Sequence, residues 1–178
     1  MHEAAPYPAP YGTPIDGLDF GEVQFRSALT KDVVMASGIS STVAHMVAEE
    51  TGDRITWPFH TIGFLDAVPR VLIVVIHHGS GVPGEAELSI SDSGLPPSRA
   101  ILRELAARLF LDCRQTGVTV RVCHEDQRLQ ATLSRLGFRA SGRDDRAGPA
   151  ARLIFTLDAV TGLRRAFPRG IIPHARAT

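Results

Sequence analysis

The sequence contains little cysteine and no long hydrophobic run. Its 178 residues include two cysteines, Cys113 and Cys123, which are too few for the disulfide framework of a small secreted domain. The longest purely aliphatic run, Val71 to Ile76, is far shorter than the roughly 20 residues that span a bilayer. The N-terminus lacks the basic and then apolar stretches of a signal peptide. These absences predict a soluble, cytoplasmic protein with no membrane partner.

Lysine is almost absent too, since Lys31 is the only one and arginine supplies the remaining positive charge. Together with much alanine and glycine, this bias indicates a GC-rich, bacterial genome, and we expect no nucleic-acid partner. The net charge is zero, yet residues 1–97 carry a net −8 and residues 98–178 a net +8. If the charges do not simply intermix on the surface, the basic half suits an anionic ligand and the acidic half a cationic one.

Length and composition predict one domain, because 178 residues with 44% hydrophobic content can bury a substantial core. Residues 1–17 are rich in proline and alanine and predict a flexible arm, or a strap anchored by Tyr7 and Tyr11. Residues 18–160 form the predicted domain. From Asp158 onward the sequence shows no clear element. Residues 161–178 are assigned to a C-terminal tail, which is a candidate dimer contact.

Alternation of apolar and polar residues, or a continuous β-branched run, marks the strands. We predict strands at Glu22–Leu29, within Ile55–Asp66, and at Val71–His78, Glu85–Asp92, Val118–Val122 and Ala151–Leu157. The run without alternation, Val71–His78, is expected to be the central strand. Residues 79–84 read as a hairpin loop, and residues 139–150 as a polar loop or hairpin.

Helices are predicted by apolar residues at helical spacing and by capping residues. We predict a helical region over Val33–Glu50, capped by Thr30 and broken into two helices near Gly38. A third helix begins after Ser98, and a fourth opens at Glu125 and Asp126 and ends at Gly137, where a left-handed C-cap is usual. His45 lies beside the apolar stripe of the first region and is read as structural.

The strand–helix–strand–helix unit from Glu85 to Phe138 resembles the second half of the GNAT superfamily of acyl-CoA-dependent N-acyltransferases. That family closes the unit with Asn-x-x-Ala-x-x-x-Tyr-x-x-x-Gly-Phe. Gly137 and Phe138 match its last two positions, whereas Asp126 stands at the Asn position, Leu129 at the Ala position and Leu133 at the Tyr position. The resemblance implies an α/β (α+β) fold with a mixed, mostly antiparallel sheet of six or seven strands and helices on both faces.

The resemblance also implies an acyl-CoA co-substrate. In the family a Gln/Arg-x-x-Gly-x-Gly/Ala loop brings backbone N–H groups to the pyrophosphate at a helix N-terminus. Counting back from Gly117 places the first residue of that loop at Pro97 in this chain. The strand before the helix would splay from its neighbour and pair with the pantetheine arm. The residues expected to hold the co-substrate are Leu88, Ile90, Ser91, Asp92, Ser98, Arg99, Ala100, Ile101, Leu102 and Asp126. Leu102 departs from the pattern because it replaces the second small residue.

A base is needed to release the neutral amine. The resemblance implies a carboxylate on the splayed strand, so Glu87 is the first candidate and Glu85 the second. His124 is the alternative base, or the acid in place of the tyrosine that Leu133 replaces. The alternative reading, that both carboxylates are solvent-facing strand residues, is the one that the pattern favours.

Other chemistries have weaker patterns. Adjacent side chains on a strand point to opposite faces, so His77 and His78 make a poor chelating pair, and no metal is expected. Cys123 lies on a valine-rich strand and is expected to be buried rather than nucleophilic. The predicted function is acyl transfer from coenzyme A to a small-molecule or protein amine. The alternative is a GNAT-fold binding or assembly module that has lost catalysis, since both the loop glycines and the tyrosine are replaced.

Overall fold

A computed structural model of the chain describes residues 23–66, 70–78, 82–144 and 151–168, and the structural statements below concern these residues. The predicted N-terminal arm lies outside them. The strands are β1 (Val23–Ala28), β2 (Val33–Gly38), β3 (Phe59–Asp66), β4 (Val71–His77), β5 (Glu85–Asp92), β6 (Gly117–Cys123), β7 (Arg139–Asp144) and β8 (Arg152–Asp158). The helices are α1 (Ser41–Thr51), α2 (Arg99–Ala106), α3 (Gln127–Leu136) and α4 (Ala159–Ala166), and a π-helical segment over Ala107–Asp112 continues α2.

The strands form a single sheet in the order β1-β2-β3-β4-β5-β6-β8-β7. Only β5 and β6 run parallel, and α2 connects them; every other neighbouring pair is antiparallel. The mixed, mostly antiparallel α/β architecture is therefore confirmed. The expected count of six or seven strands was too low, because two segments read as helix or loop form β2 and β7.

The first part of the predicted helical region is wrong: residues 33–38 form β2, which pairs with β1 and β3. Val33, Met35 and Ser37 are buried, whereas Val34 and Ala36 between them are half-buried, which is the two-residue period of a strand. Thr30 caps no helix. Its hydroxyl accepts the backbone N–H groups of Asp32 and Val33 in the β1–β2 turn, at 3.3 and 3.1 Å.

Two cores lie on opposite faces of the sheet. Along β4, Leu72, Val74 and Ile76 belong to the large core that also contains the buried residues of α2, α3 and α4. Val75 faces the other way and packs with Val47 of α1 in a smaller core. Helices therefore cover both faces, as predicted, and the face covered by α1 is called the α1 face below.

The C-terminal tail contains a helix that the sequence did not reveal. Asp158 caps α4 by accepting the Thr161 N–H at 2.8 Å, and α4 packs onto the π-helical segment after α2. A Cβ at Gly162 would come within 2.4 Å of the Phe110 ring, so this glycine is what lets the two helices approach. A domain boundary after residue 160 would cut this helix in two.

The helix caps of the central unit are confirmed. Ser98 is the N-cap of α2 and accepts the Ile101 N–H at 3.3 Å. Asp126 is the N-cap of α3 and accepts the Leu129 N–H at 2.9 Å. Gly137 ends α3 at φ 96°, in the left-handed region that favours glycine.

Candidate functional site

Strands β5 and β6 separate before either of them ends. Their pairing runs from Glu85↔Gly117 to Leu88↔Val120 and stops there, although β5 continues to Asp92 and β6 to Cys123. We call the gap between residues 89–92 of β5 and residues 121–123 of β6 the β5/β6 fork. The splay implied by the resemblance is therefore present. Backbone groups of β5 on this side of the fork have no strand partner among the described residues, and such groups bind extended ligands as an added strand does.

The N-terminus of α2 lies one short loop beyond the fork. Asp92 begins this loop by accepting the Gly94 N–H at 2.7 Å, and the buried Leu95 anchors it in the large core. The amide of Leu102 bonds to the Ser98 carbonyl at 3.0 Å, which leaves the amides of Arg99 and Ala100 as the donors without intrahelical acceptors. Amides in this position, reinforced by the helix dipole, bind phosphate.

Glu87 lies on β5 one residue before the last paired position, and its side chain is on the α1 face. It is buried, with 1% of the side chain exposed, and it forms an ion pair with Arg121 of β6. The Arg121 Nε also lies 3.3 Å from Asp144 Oδ2 on β7. Among the described residues neither Glu87 oxygen has a well-oriented hydrogen bond. The first candidate base is therefore a buried, paired carboxylate rather than a solvent-facing one.

The other two base candidates lie at opposite ends of the β5–β6 pair. Glu85 opens β5 at the paired end, three residues before Leu88, or about 10 Å at the usual rise of a strand. Its side chain packs against Gly117. His124 follows β6 at the open end and is exposed. The fold brings Glu87 to the fork but does not bring Glu85 there.

The β5 residues predicted to contact the co-substrate alternate between the two faces. Leu88 is buried in the large core and Ile90 packs against it. Ser91 is on the α1 face, where its hydroxyl donates to Glu50 Oε2 at 2.6 Å. Their side chains are thus committed to packing and internal bonds, which leaves the backbone of β5 as the part that faces the fork.

Sequence reasoning missed Arg128, which spans the mouth of the fork. This residue lies in the first turn of α3, and its Nη2 is 3.5 Å from Asp92 Oδ2 at the end of β5. The guanidinium is 67% exposed and therefore available to an anion. No motif marks it, because the contact arises only when α3 folds back towards the end of β5.

Sequence reasoning also missed a buried polar chain on the α1 face. The Ser89 hydroxyl donates to Asp53 Oδ2 at 2.7 Å and lies 3.1 Å from His77 Nε2. Arg152 donates to the other Asp53 oxygen and, at 2.5 Å, to the Thr51 carbonyl at the end of α1. The four elements that meet here come from separate parts of the chain, so no local spacing predicts the contact.

The protonation of His77 follows from this chain. A carboxylate only accepts, so Ser89 donates to Asp53 and must accept from His77, which places the imidazole proton on Nε2. Desolvation by burial lowers the pKa of His77 to about 4, and Arg121 and His78 add to this against the opposing charge of Asp53. His77 is therefore neutral at pH 7, and its buried Nδ1 has no partner among the described residues.

The cysteines do not form a site. Cys123 is exposed, which corrects the expectation that it is buried; it lies at the open end of β6, beyond the last β5 partner. Desolvation by burial and the adjacent Asp112 raise the pKa of Cys113 to about 11, so this thiol is protonated at neutral pH.

In the described part of the chain, no three His, Cys, Asp or Glu side chains converge as metal ligands do. None of the helices there has the length and apolarity needed to cross a membrane.

The architecture is that of the GNAT fold, with the fork between its two parallel strands. A variant of the spermidine/spermine N-acetyltransferase SpeG from Vibrio cholerae superposes with a TM-score of 0.58 at 11% identity, covering 77% of this chain and 99% of that one. Another SpeG variant from the same organism gives 0.59 at 10% identity, covering 77% and 99%. A probable acetyltransferase gives 0.55 at 12% identity, covering 75% and 97%. No protein-family model and no curated protein sequence matches the chain.

Proposed function

We propose that the protein transfers an acyl group from an acyl-CoA to an amine. The observation that carries the proposal is the β5/β6 fork, which ends β-pairing while both strands continue and which lies one short loop from the amides of α2. An extended ligand arm fits beside the free β5 backbone, and a phosphate fits at the helix N-terminus. The similar solved structures include N-acetyltransferases, which agrees with this choice of reaction.

The residues present fit acyl-CoA in three places. The backbone of residues 89–92 would hold the pantetheine arm, and the amides of Arg99 and Ala100, helped by the Arg99 guanidinium, would hold the pyrophosphate. The exposed Arg128 would bind a further phosphate in place of Asp92. The register counted from Gly117 places the two small residues of the loop at Ala100 and Leu102. Because α2 begins at Arg99, the small residues at its start are instead Ser98 and Ala100, two positions earlier. Leu102 then lies within the helix, beyond the amides of Arg99 and Ala100.

The bound co-substrate supplies the thioester, and the chain supplies orientation and proton transfer. A β5 backbone N–H at the fork would stabilise the oxyanion that forms when the amine attacks. Glu87 would take the proton from the amine, since it is the only one of the two predicted carboxylates next to the fork. When Glu87 becomes neutral, Asp144, 3.3 Å from Arg121, would still balance the charge of the guanidinium.

Calorimetric titration with acetyl-CoA and with a longer acyl-CoA tests the proposal, followed by turnover assays over an amine panel that includes spermidine. We expect binding, and we expect Arg99→Ala to weaken it by about tenfold because one charge-assisted contact is lost. Arg135→Ala, which removes another exposed arginine from the C-terminal end of α3, is the matched control. If neither acyl-CoA binds to the folded protein, the proposal is wrong.

A second candidate function is a GNAT-fold binding or assembly module without catalysis. The observation that favours it is that the side chains at two positions expected to react are engaged inside the protein. Glu87 is ion-paired with Arg121, and Leu133, at the tyrosine position, is 2% exposed in the core. Binding of acyl-CoA without turnover on any amine would support the module, whereas turnover on one of them would exclude it.

A further inference from the structure

The buried polar chain on the α1 face joins the two sides of the β5/β6 fork. In the sheet, β6 lies between β5 and β8. Arg152 of β8 is the partner of Cys123, at the open end of β6, and its side chain reaches Asp53, which in turn holds Ser89 of β5. Ser89 is the first β5 residue beyond the last paired position.

Asp53 occupies the centre of this connection with both of its carboxylate oxygens engaged. One accepts from Arg152 and the other accepts from Ser89 at 2.7 Å, and the carboxylate is only 2% exposed. A buried charge is tolerated when it is paired and fully hydrogen-bonded. The side chain therefore has one geometry, and that geometry links the β8 side of the fork to the β5 side.

The Arg152 end of the connection is seated on the C-terminus of α1. Its guanidinium donates to the Thr51 carbonyl, where the negative end of the helix dipole favours a cation. It lies so close to Gly52 that a Cβ there would be 2.4 Å from Nη2. The His77 end is equally fixed, since its neutral ring donates through Nε2 to Ser89 and His77 is 1% exposed.

We propose that Asp53 is a positioning residue that sets the width of the β5/β6 fork, by holding Ser89 of β5 and Arg152 of β8 at a fixed separation. This proposal deepens the proposed function, since the fork is the place where the acyl arm would bind. It assigns Asp53 no contact with the substrate. Without its charge, the β5 segment beyond Leu88 loses the side-chain connection that Ser89, Asp53 and Arg152 make to β8, and the fork opens more often.

Hydrogen–deuterium exchange tests the proposal without any ligand. In Asp53→Asn we expect peptides covering residues 89–92 and 121–123 to exchange about tenfold faster, because local opening there becomes easier. Ser89→Ala should act in the same direction and more weakly. Glu49→Gln, at an exposed position of α1 where the side chain pairs with His45, is the matched control and should leave both peptides unchanged.

Two outcomes of that experiment overturn the proposal. One is wild-type exchange in both fork peptides of Asp53→Asn. The other is acceleration that is equally large in β2 and β3, which indicates general loss of stability rather than a local role. If Asp53→Asn does not fold, Ser89→Ala decides by the same two criteria.

Kinetics then separates this proposal from the proposed function. A fork that opens too often binds the arm less well, so Asp53→Asn should raise the KM for acetyl-CoA about tenfold and change kcat much less, as expected when binding rather than the chemical step is affected. Arg152→Lys, which keeps the charge, should be milder. An unchanged KM together with a large fall in kcat would contradict the positioning role. If the wild-type protein binds no acyl-CoA, the proposed function fails while the exchange experiment still decides the role of Asp53.

Discussion

Glu87 of β5, one residue before the last paired position, forms an ion pair with Arg121 of β6, one residue beyond it, where the two parallel strands separate. The carboxylate is buried, and three-quarters of the guanidinium side chain is covered as well, with 26% exposed. This charge pair therefore links the two strands at the point where they separate.

Removing one partner of this pair should destabilise the protein. We expect Arg121→Ala to lower the free energy of unfolding by about 3 kcal/mol, because it leaves the Glu87 charge buried without its partner. The double variant Glu87→Gln/Arg121→Met should recover most of the loss, since no buried charge remains there. Urea unfolding measures both. Arg135→Ala, at an exposed site, is the control and should change stability by a few tenths of a kcal/mol; equal losses in Arg121→Ala and Arg135→Ala would refute the prediction.

The proton-transfer role separates the three base candidates. Glu87→Gln should lower kcat by about 100-fold or more with little change in the KM for acetyl-CoA, because it removes general-base catalysis and keeps the shape of the side chain. Glu85→Gln, about 10 Å from the fork by strand rise, should behave as the wild type does. His124→Asn tests the alternative at the open end. A large loss in His124→Asn with none in Glu87→Gln would move the proton-transfer role to His124.

Local signals in the sequence predicted the central unit well. Ser98 and Gly137 were predicted to cap helices and Asp126 to open one, by chemistry that acts within four residues, and all three lie at the expected helix ends. The strand Glu85–Asp92 was predicted with the bounds that the structure has. The splay after Leu88 came from the resemblance and not from any residue pattern.

The failures of sequence reasoning have one cause, which is that tertiary contacts override local preference. Residues 33–38 read as the start of a helix, yet their burial on the face of the sheet makes them a strand. Cys123 was expected to be buried because valines surround it in sequence, but it lies where β6 no longer pairs with β5. Asp53 and Arg152 are 99 residues apart, and nothing local in the sequence connects them.

Two histidines with lowered pKa values, the buried His77 and the half-buried His60, should make stability depend on pH. Burial lowers the pKa of His77 to about 4, and burial together with the nearby Arg108 lowers the pKa of His60 to about 4. Below pH 6.5 the unfolded chain takes up protons that these native side chains do not, so the unfolded state is favoured progressively as the pH falls, and the effect levels off near pH 4. Stability therefore rises with pH across this window.

Urea unfolding at pH 7, 6, 5 and 4.5 measures this dependence. His77→Asn should lose stability at pH 7, because the bond to Ser89 is perturbed, but should lose less on acidification than the wild type does. His45→Gln, at an exposed position, is the control and should follow the wild-type dependence. If His77→Asn and the wild type have parallel stability curves between pH 7 and 4.5, His77 does not contribute to the acid sensitivity.

Gly52 should resist substitution more than any glycine on the edge strand. It ends α1 at φ 66°, where an L side chain is strained, and a Cβ would also displace the Arg152 guanidinium from Thr51 and Asp53. We expect Gly52→Ala to cost about 2 kcal/mol or more, through backbone strain and the loosened ion pair. Gly142→Ala on β7, where a Cβ would make an ordinary 3.8 Å contact with Ile154, should cost little. Adding Arg152→Ala to Gly52→Ala separates the two causes: if the displaced guanidinium dominates, the double variant is no less stable than Arg152→Ala alone, and if backbone strain dominates, the two losses add.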